Sequence, residues 1–124
     1  MLRILIVDDN QSSAKVLALL LQRYGYEVMT AFDGEQAVTT ARSFSPEVVL
    51  LDIGLPKLNG YEVCRWIRAQ PSAHKVTFIA QTGWGLEESR QKTIDAGFQY
   101  HMVKPLHTNQ ILKILEDLTK EKAS

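Results

Sequence analysis

A single cysteine, Cys64, excludes any disulfide within the chain. No histidine base is suggested beside it, so it reads as a small packing residue and not a catalytic thiol. An excess of either charge is also missing: Lys plus Arg balance Asp plus Glu at 14 each. A protein that binds nucleic acid without regard to sequence needs a basic surplus to displace counterions, so direct nucleic-acid binding is not expected. No stretch approaches the roughly 20 apolar residues of a membrane span. The first apolar run stops at two acids, without signal-peptide architecture. A cytoplasmic chain without membrane contact is therefore expected. Low-complexity segments, composition breaks and linkers are absent as well. With 124 residues, of which 45% are hydrophobic, there is material for one core and not for two. We expect one domain over 1–124, with a core over 2–120 and a frayed polar tail at 121–124.

Two signals alternate along this chain. Short apolar runs occur at Arg3–Val7, Tyr26–Ala31, Glu47–Leu51, Thr77–Ala80 and Tyr100–Val103. The first and third are almost continuously hydrophobic, as strands covered on both faces are, and the second and fifth are mixed, as edge strands are. Between them lie helical patterns. The first follows Asn10, a good N-cap, places Ala14, Leu17, Ala18 and Leu21 on one face, and stops at Gly25. The second starts after Asp33-Gly34 with Ala37, Val38 and Ala41 inward, and ends by Ser45-Pro46. The third starts near Asn59-Gly60 and carries Val63, Cys64 and Ile67. The fourth, about Leu86–Ala96, is strongly polar with a thin apolar stripe. The fifth starts near Thr108 and aligns Ile111, Ile114, Leu115 and Leu118. Five βα units imply right-handed crossovers and an α/β, doubly wound, three-layer sandwich with a parallel sheet.

In such sheets ligands bind beyond the carboxyl ends of the strands. Asp8 and Asp9 stand at the end of the first run, Asp52 at the end of the third, Thr82 just past the fourth, and Lys104 after the fifth. Carboxylates crowded on one rim repel unless something compensates. A divalent cation held by hard oxygens suits magnesium, and the compact ammonium of Lys104 is a second compensator. An exposed carboxylate beside a metal and a lysine can attack phosphorus and form an acyl phosphate. Asp52, alone at a central strand end, is the better nucleophile; the adjacent Asp8 and Asp9 suit metal holding. Each residue has a plainer reading: an acid as an N-cap, Thr82 as a turn residue, Lys104 as a solvated loop cation. Four such sites in order, each at its own strand end, favour the shared role.

These residues resemble those of response-regulator receiver domains of two-component signalling, both stand-alone chemotaxis-type regulators and receivers of hybrid kinases. The resemblance covers roughly residues 2–120. It rests on Leu-Ile-Val-Asp-Asp-Asn at 5–10, Leu-Leu-Asp-Ile-Gly-Leu-Pro at 50–56 with Asn59-Gly60, Gln-Thr-Gly at 81–83 and Val-Lys-Pro at 103–105. It implies a flavodoxin-like strand order 2-1-3-4-5. It implies Asp52 as phosphoacceptor, and Asp8, Asp9, Asp52 and the backbone carbonyl of Gly54 as ligands for Mg²⁺ or Mn²⁺. Thr82 would be the switching hydroxyl and Lys104 the cation that pairs with phosphate. The implied partners are a sensor histidine kinase or histidine phosphotransfer protein, and a downstream protein bound on the face of the fourth helix, fifth strand and last helix. The chain would be a signalling phosphoacceptor and no enzyme beyond self-catalysed phosphorylation and dephosphorylation.

Three positions depart from the common family pattern. His101 stands where many members carry the Tyr or Phe that rotates with the switch, and an imidazole is smaller and can carry charge. Gly54 stands where many members have a larger side chain, and Trp84 is bulky two residues after Thr82. Two other functions share part of this pattern. A magnesium-dependent phosphatase passing through an aspartyl phosphate would pattern its acids as Asp-x-Asp, and would carry a cap domain. A flavodoxin-like cofactor module would need a glycine- and hydroxyl-rich loop where Asp8 and Asp9 stand.

Overall fold

The computed structural model describes residues 2–55, 59–70, 76–82, 94–103 and 108–123. Five strands, β1 (Arg3–Val7), β2 (Glu27–Ala31), β3 (Val48–Asp52), β4 (Thr77–Thr82) and β5 (Tyr100–Val103), form one sheet. Its order is β2-β1-β3-β4-β5, and every pairing is parallel. This is the doubly wound α/β arrangement expected from the alternating patterns.

Burial along the strands explains their composition. All five residues of β3 and the last four of β1 are buried, because helices cover both faces at the sheet centre. The edge strands β2 and β5 mix exposed and buried positions. Successive side chains point to opposite faces. Ile4, Ile6, Val48, Leu50, Ile79 and Met102 therefore pack with α1 (Gln11–Arg23) and the C-terminal helix (Thr108–Ala123). Leu5, Val7, Val49, Leu51, Phe78 and Ala80 pack with α2 (Gly34–Phe44) and α3 (Gly60–Arg68). Cys64 is fully buried in that second layer, and burial pushes its thiol up to about 11.

Each of the first three helices begins at a side-chain cap. Asn10 accepts from the Ser13 N–H at 3.0 Å, Asp33 from the Gln36 N–H at 2.8 Å and Asn59 from the Glu62 N–H at 3.0 Å. Helix α1 gives way to Gly25 at φ +93°, a conformation that glycine adopts without Cβ strain. Helix α2 ends at Ser45, which is left-handed at φ 51° and sits directly before Pro46.

Strand boundaries differ from those read in the sequence: β2 and β3 start one residue later, at Glu27 and Val48. Strands β3 and β4 continue through Asp52 and Thr82, where the apolar pattern had already stopped. The last helix is described from Thr108 through Ala123. Of the fourth helical segment, only residues 94–96 lie among those described, and they are helical. No described helix is long and apolar enough to cross a membrane.

Candidate phosphoacceptor site

The parallel register aligns the carboxyl ends of the central strands. Val7 pairs with Ala31 on one side and Leu51 on the other, and Asp52 pairs with Gln81. The residues that continue β1 and β3 thus emerge side by side. Asp8, Asp9 and Asp52 each place a carboxylate oxygen within 4.8 Å of the others. Asp8 and Asp52 are only 5% and 6% exposed, whereas Asp9 is open to solvent.

Local backbone bonds aim the two buried acids. Asp8 Oδ1 accepts from the Asn10 N–H at 2.9 Å, and the Asp8 N–H donates to the Ala31 carbonyl at 3.1 Å. Asp52 Oδ1 accepts from the Gly54 N–H at 2.9 Å. Asp8 therefore does not cap α1; Asn10 does. The plainer reading of the acids as helix caps fails for all three, since the caps of the described helices α1–α3 are Asn10, Asp33 and Asn59.

Three carboxyl groups so close, two of them withdrawn from water, gather negative potential on one rim. The donor set is entirely hard oxygen with one open, solvated side, which fits magnesium with water completing its shell. The residues present therefore fit the metal that the acid pattern implies.

Thr82 ends β4, next to the Gln81 that pairs with Asp52, and is 5% exposed. Its Oγ1 is 2.9 Å from His101 Nε2 on β5. His101 thus makes a polar contact with Thr82 between β5 and β4. Lys104, with Trp84, His74 and His107, lies outside the described residues, as does most of the fourth helical segment.

Two further residues shape the site, and their roles here were not assigned from the sequence. Gly60 opens α3 against the strand end: a Cβ there would lie 2.7 Å from the Asp52 carbonyl oxygen and 2.7 Å from Ile53 Cα. Only hydrogen fits, and the Gly60 N–H uses the closeness to donate to the Ile53 carbonyl at 3.0 Å. Asn-Gly at a helix start signals a cap, but the tight approach is a tertiary fact. Gln81 is the second: it is buried beside Asp52, and its side-chain amide nitrogen has no hydrogen-bond partner.

Comparison with known proteins follows the same outline. The family model described as response regulator receiver domain matches residues 4–116. The alkaline phosphatase synthesis transcriptional regulatory protein PhoP of Bacillus subtilis is 35% identical over 109 residues, which cover 88% of this chain and 45% of that regulator. The chain thus spans less than half the length of curated relatives such as this one. Among solved structures, the chemotaxis protein CheY4 of Vibrio cholerae superposes with a TM-score of 0.89 at 30% identity, covering 94% of this chain and 98% of that one. The receiver domain of the sensor histidine kinase PA1611 from Pseudomonas aeruginosa gives 0.83 at 34% identity, covering 94% and 95%. That structure carries a magnesium ion coordinated in its active-site cleft.

Proposed function

This chain belongs to the response regulator receiver domain family of two-component signalling, and from that premise we propose that it accepts a phosphoryl group on Asp52 from a phosphohistidine of a partner kinase or phosphotransfer protein. The observation that carries this reading is the convergence of Asp8, Asp9 and Asp52 within 4.8 Å, at the strand ends where a doubly wound sheet binds ligands. Family membership sets aside both the phosphatase and the flavodoxin-like readings.

Asp8, Asp9, Asp52 and the Gly54 carbonyl would hold Mg²⁺, or Mn²⁺ in its place. When bound, the metal offsets negative charge on the transferring group. An oxygen of Asp52 attacks phosphorus as the P–N bond of the donor breaks. The bonding electrons return to the donor imidazole nitrogen, leaving an acyl phosphate on this chain. The Gly54 N–H holds one Asp52 oxygen at 2.9 Å, which fixes the direction of the other. Thr82 supplies a hydrogen bond to a phosphoryl oxygen, and Lys104 pairs with another. The chemistry is self-catalysed transfer and hydrolysis, and its product is a switched protein surface.

That surface is the face of the fourth helical segment, β5 and the C-terminal helix. The exposed Ile94 and Val103, at 64% and 44%, give it an apolar component for a downstream protein. Phosphorylation biases it through Thr82 and His101, the described polar link between the site and β5.

Incubation with Mg²⁺ and a small acyl-phosphate donor should add one phosphoryl group, read by intact mass. The Asp52→Asn variant should show no gain, and omission of the metal should suppress it. Undiminished labelling of Asp52→Asn would remove the assignment.

A further inference from the structure

A threonine hydroxyl has one proton to give and two lone pairs to accept with. Thr82 Oγ1 lies 2.9 Å from His101 Nε2, and two arrangements satisfy that distance. Either the hydroxyl donates to an unprotonated Nε2, or an Nε2–H donates to the hydroxyl oxygen. Before the site is filled the 2.9 Å contact is compatible with both, the first placing the ring proton on Nδ1, which is buried without a hydrogen-bond partner.

A phosphoryl oxygen removes that freedom. It offers only lone pairs, so Thr82 must turn its single proton toward it. The hydroxyl then has nothing left to donate to His101. If the Thr82–His101 contact is kept, its only remaining form has Nε2 as the donor. Resting on the phosphoacceptor role proposed for Asp52, we infer that His101 is a positioning residue whose Nε2 becomes the proton-bearing atom when the Asp52 site is filled.

The proton balance is simple. The ring either shifts its one proton from Nδ1 to Nε2, which takes a transient opening because Nδ1 is closed to solvent, or takes up a second proton from solvent at Nε2. No heavy-atom bond forms or breaks. The result is a continuous chain, Nε2–H to Oγ1 and Oγ1–H to phosphoryl oxygen, in which each bond polarises the next. A purely hydrocarbon ring at position 101 could follow Thr82 only by shape. The histidine adds a directional bond that favours the filled site. By linkage, holding Nε2 protonated tightens occupancy by the same factor that occupancy shifts the ring.

The test uses the full chain with ¹⁵N-labelled histidine, Mg²⁺ and beryllofluoride as the phosphoryl mimic. The ¹⁹F signal of bound reagent reports occupancy. The His101 nitrogens, assigned by the resonances lost in His101→Phe, report proton position. Occupancy should move the Nε2 resonance toward the protonated, pyrrole-like range. The unreactive Asp52→Asn variant should show neither bound fluoride nor the shift. Bound fluoride with Nε2 protonation unchanged or reduced overturns the inference alone. The same shift in Asp52→Asn also overturns it, because the site would not be its cause. Absence of bound fluoride with Asp52 intact overturns the phosphoacceptor reading itself, and this inference with it.

Discussion

The two ends of β4 are built on opposite principles. At its amino end the described contacts are cohesive, although Arg68 Nε is buried without a hydrogen-bond partner. The Arg68 guanidinium lies 4.6 Å from the centre of the Phe78 ring and donates to the Gly97 carbonyl at 2.6 Å. Gln99 Oε1 accepts from the Phe78 N–H at 2.8 Å, and the Phe78 and Phe98 rings meet edge to face at 5.9 Å. At the carboxyl end, one strand over, three carboxylates crowd within 4.8 Å and Gln81 holds an unpartnered amide nitrogen. Among the described residues, aromatic and amide contacts gather at one end of the strand and carboxylates at the other. The end where the carboxylates gather is the one whose charge suits a cation.

The largest test of this contrast is at the cohesive end. Phe78 is completely buried, so Phe78→Ala should destabilise by about 3–5 kcal/mol, through lost transfer energy and the cavity left behind. Urea denaturation at fixed pH would measure it, and a loss under 1 kcal/mol would show that this end is not a stability centre. The carboxyl end should respond to ligand instead. Mg²⁺ at about 100 times its Kd should raise stability by about 2.7 kcal/mol, because it binds the folded acid cluster and not the unfolded chain. Chelation should reverse that gain, and Asp9→Asn should reduce it. An equal gain in Asp9→Asn and Asp52→Asn would place the ion elsewhere.

The same contrast governs what could be read from the sequence. Alternating apolar runs and helical stripes announce a covered parallel sheet, since a strand buried on both faces leaves a continuous hydrophobic signature, as in Val48–Leu51. The acids were legible because each ends such a run. Strand β4 was read two residues short because Gln81 and Thr82 are polar yet buried, a combination that local pattern assigns to a turn. Contacts between distant residues had no local signal. The Thr82–His101 bond spans 19 positions and the Arg68–Gly97 bond 29. Composition records that these residues exist, and only the fold brings them together.

Cys64 offers a gentler probe of the cohesive layer. Burial raises its thiol from an ordinary 9.0 to about 11, with Arg68 and Arg65 working against the shift. A group whose folded value is raised favours folding in its neutral form. Its contribution is complete below pH 9.0 and is lost as pH rises toward about 11. The loss across that window should be about 2 kcal/mol. Cys64→Ala should flatten this part of the pH profile, after allowance for its own cavity cost. An unchanged alkaline slope in the variant would assign the slope to other groups.

The finest discrimination lies between two glycines that flank the phosphoacceptor. At Gly60 an added Cβ would sit 2.7 Å from the Asp52 carbonyl oxygen and 2.7 Å from Ile53 Cα, so backbone must move. At Gly54 it would meet only Asp52 Oδ1, at an ordinary 3.6 Å. Gly60→Ala should therefore cost about 1–3 kcal/mol, as overpacking against backbone does. It should also weaken Mg²⁺ binding, since the end of β3 that carries Asp52 is what yields. Gly54→Ala should stay within about 0.5 kcal/mol, as substitutions without strain or lost contact do. Thermal melts and Mg²⁺ titrations of the two variants side by side separate the cases. If Gly60→Ala melts and binds like the parent, the close approach is not what fixes the end of β3.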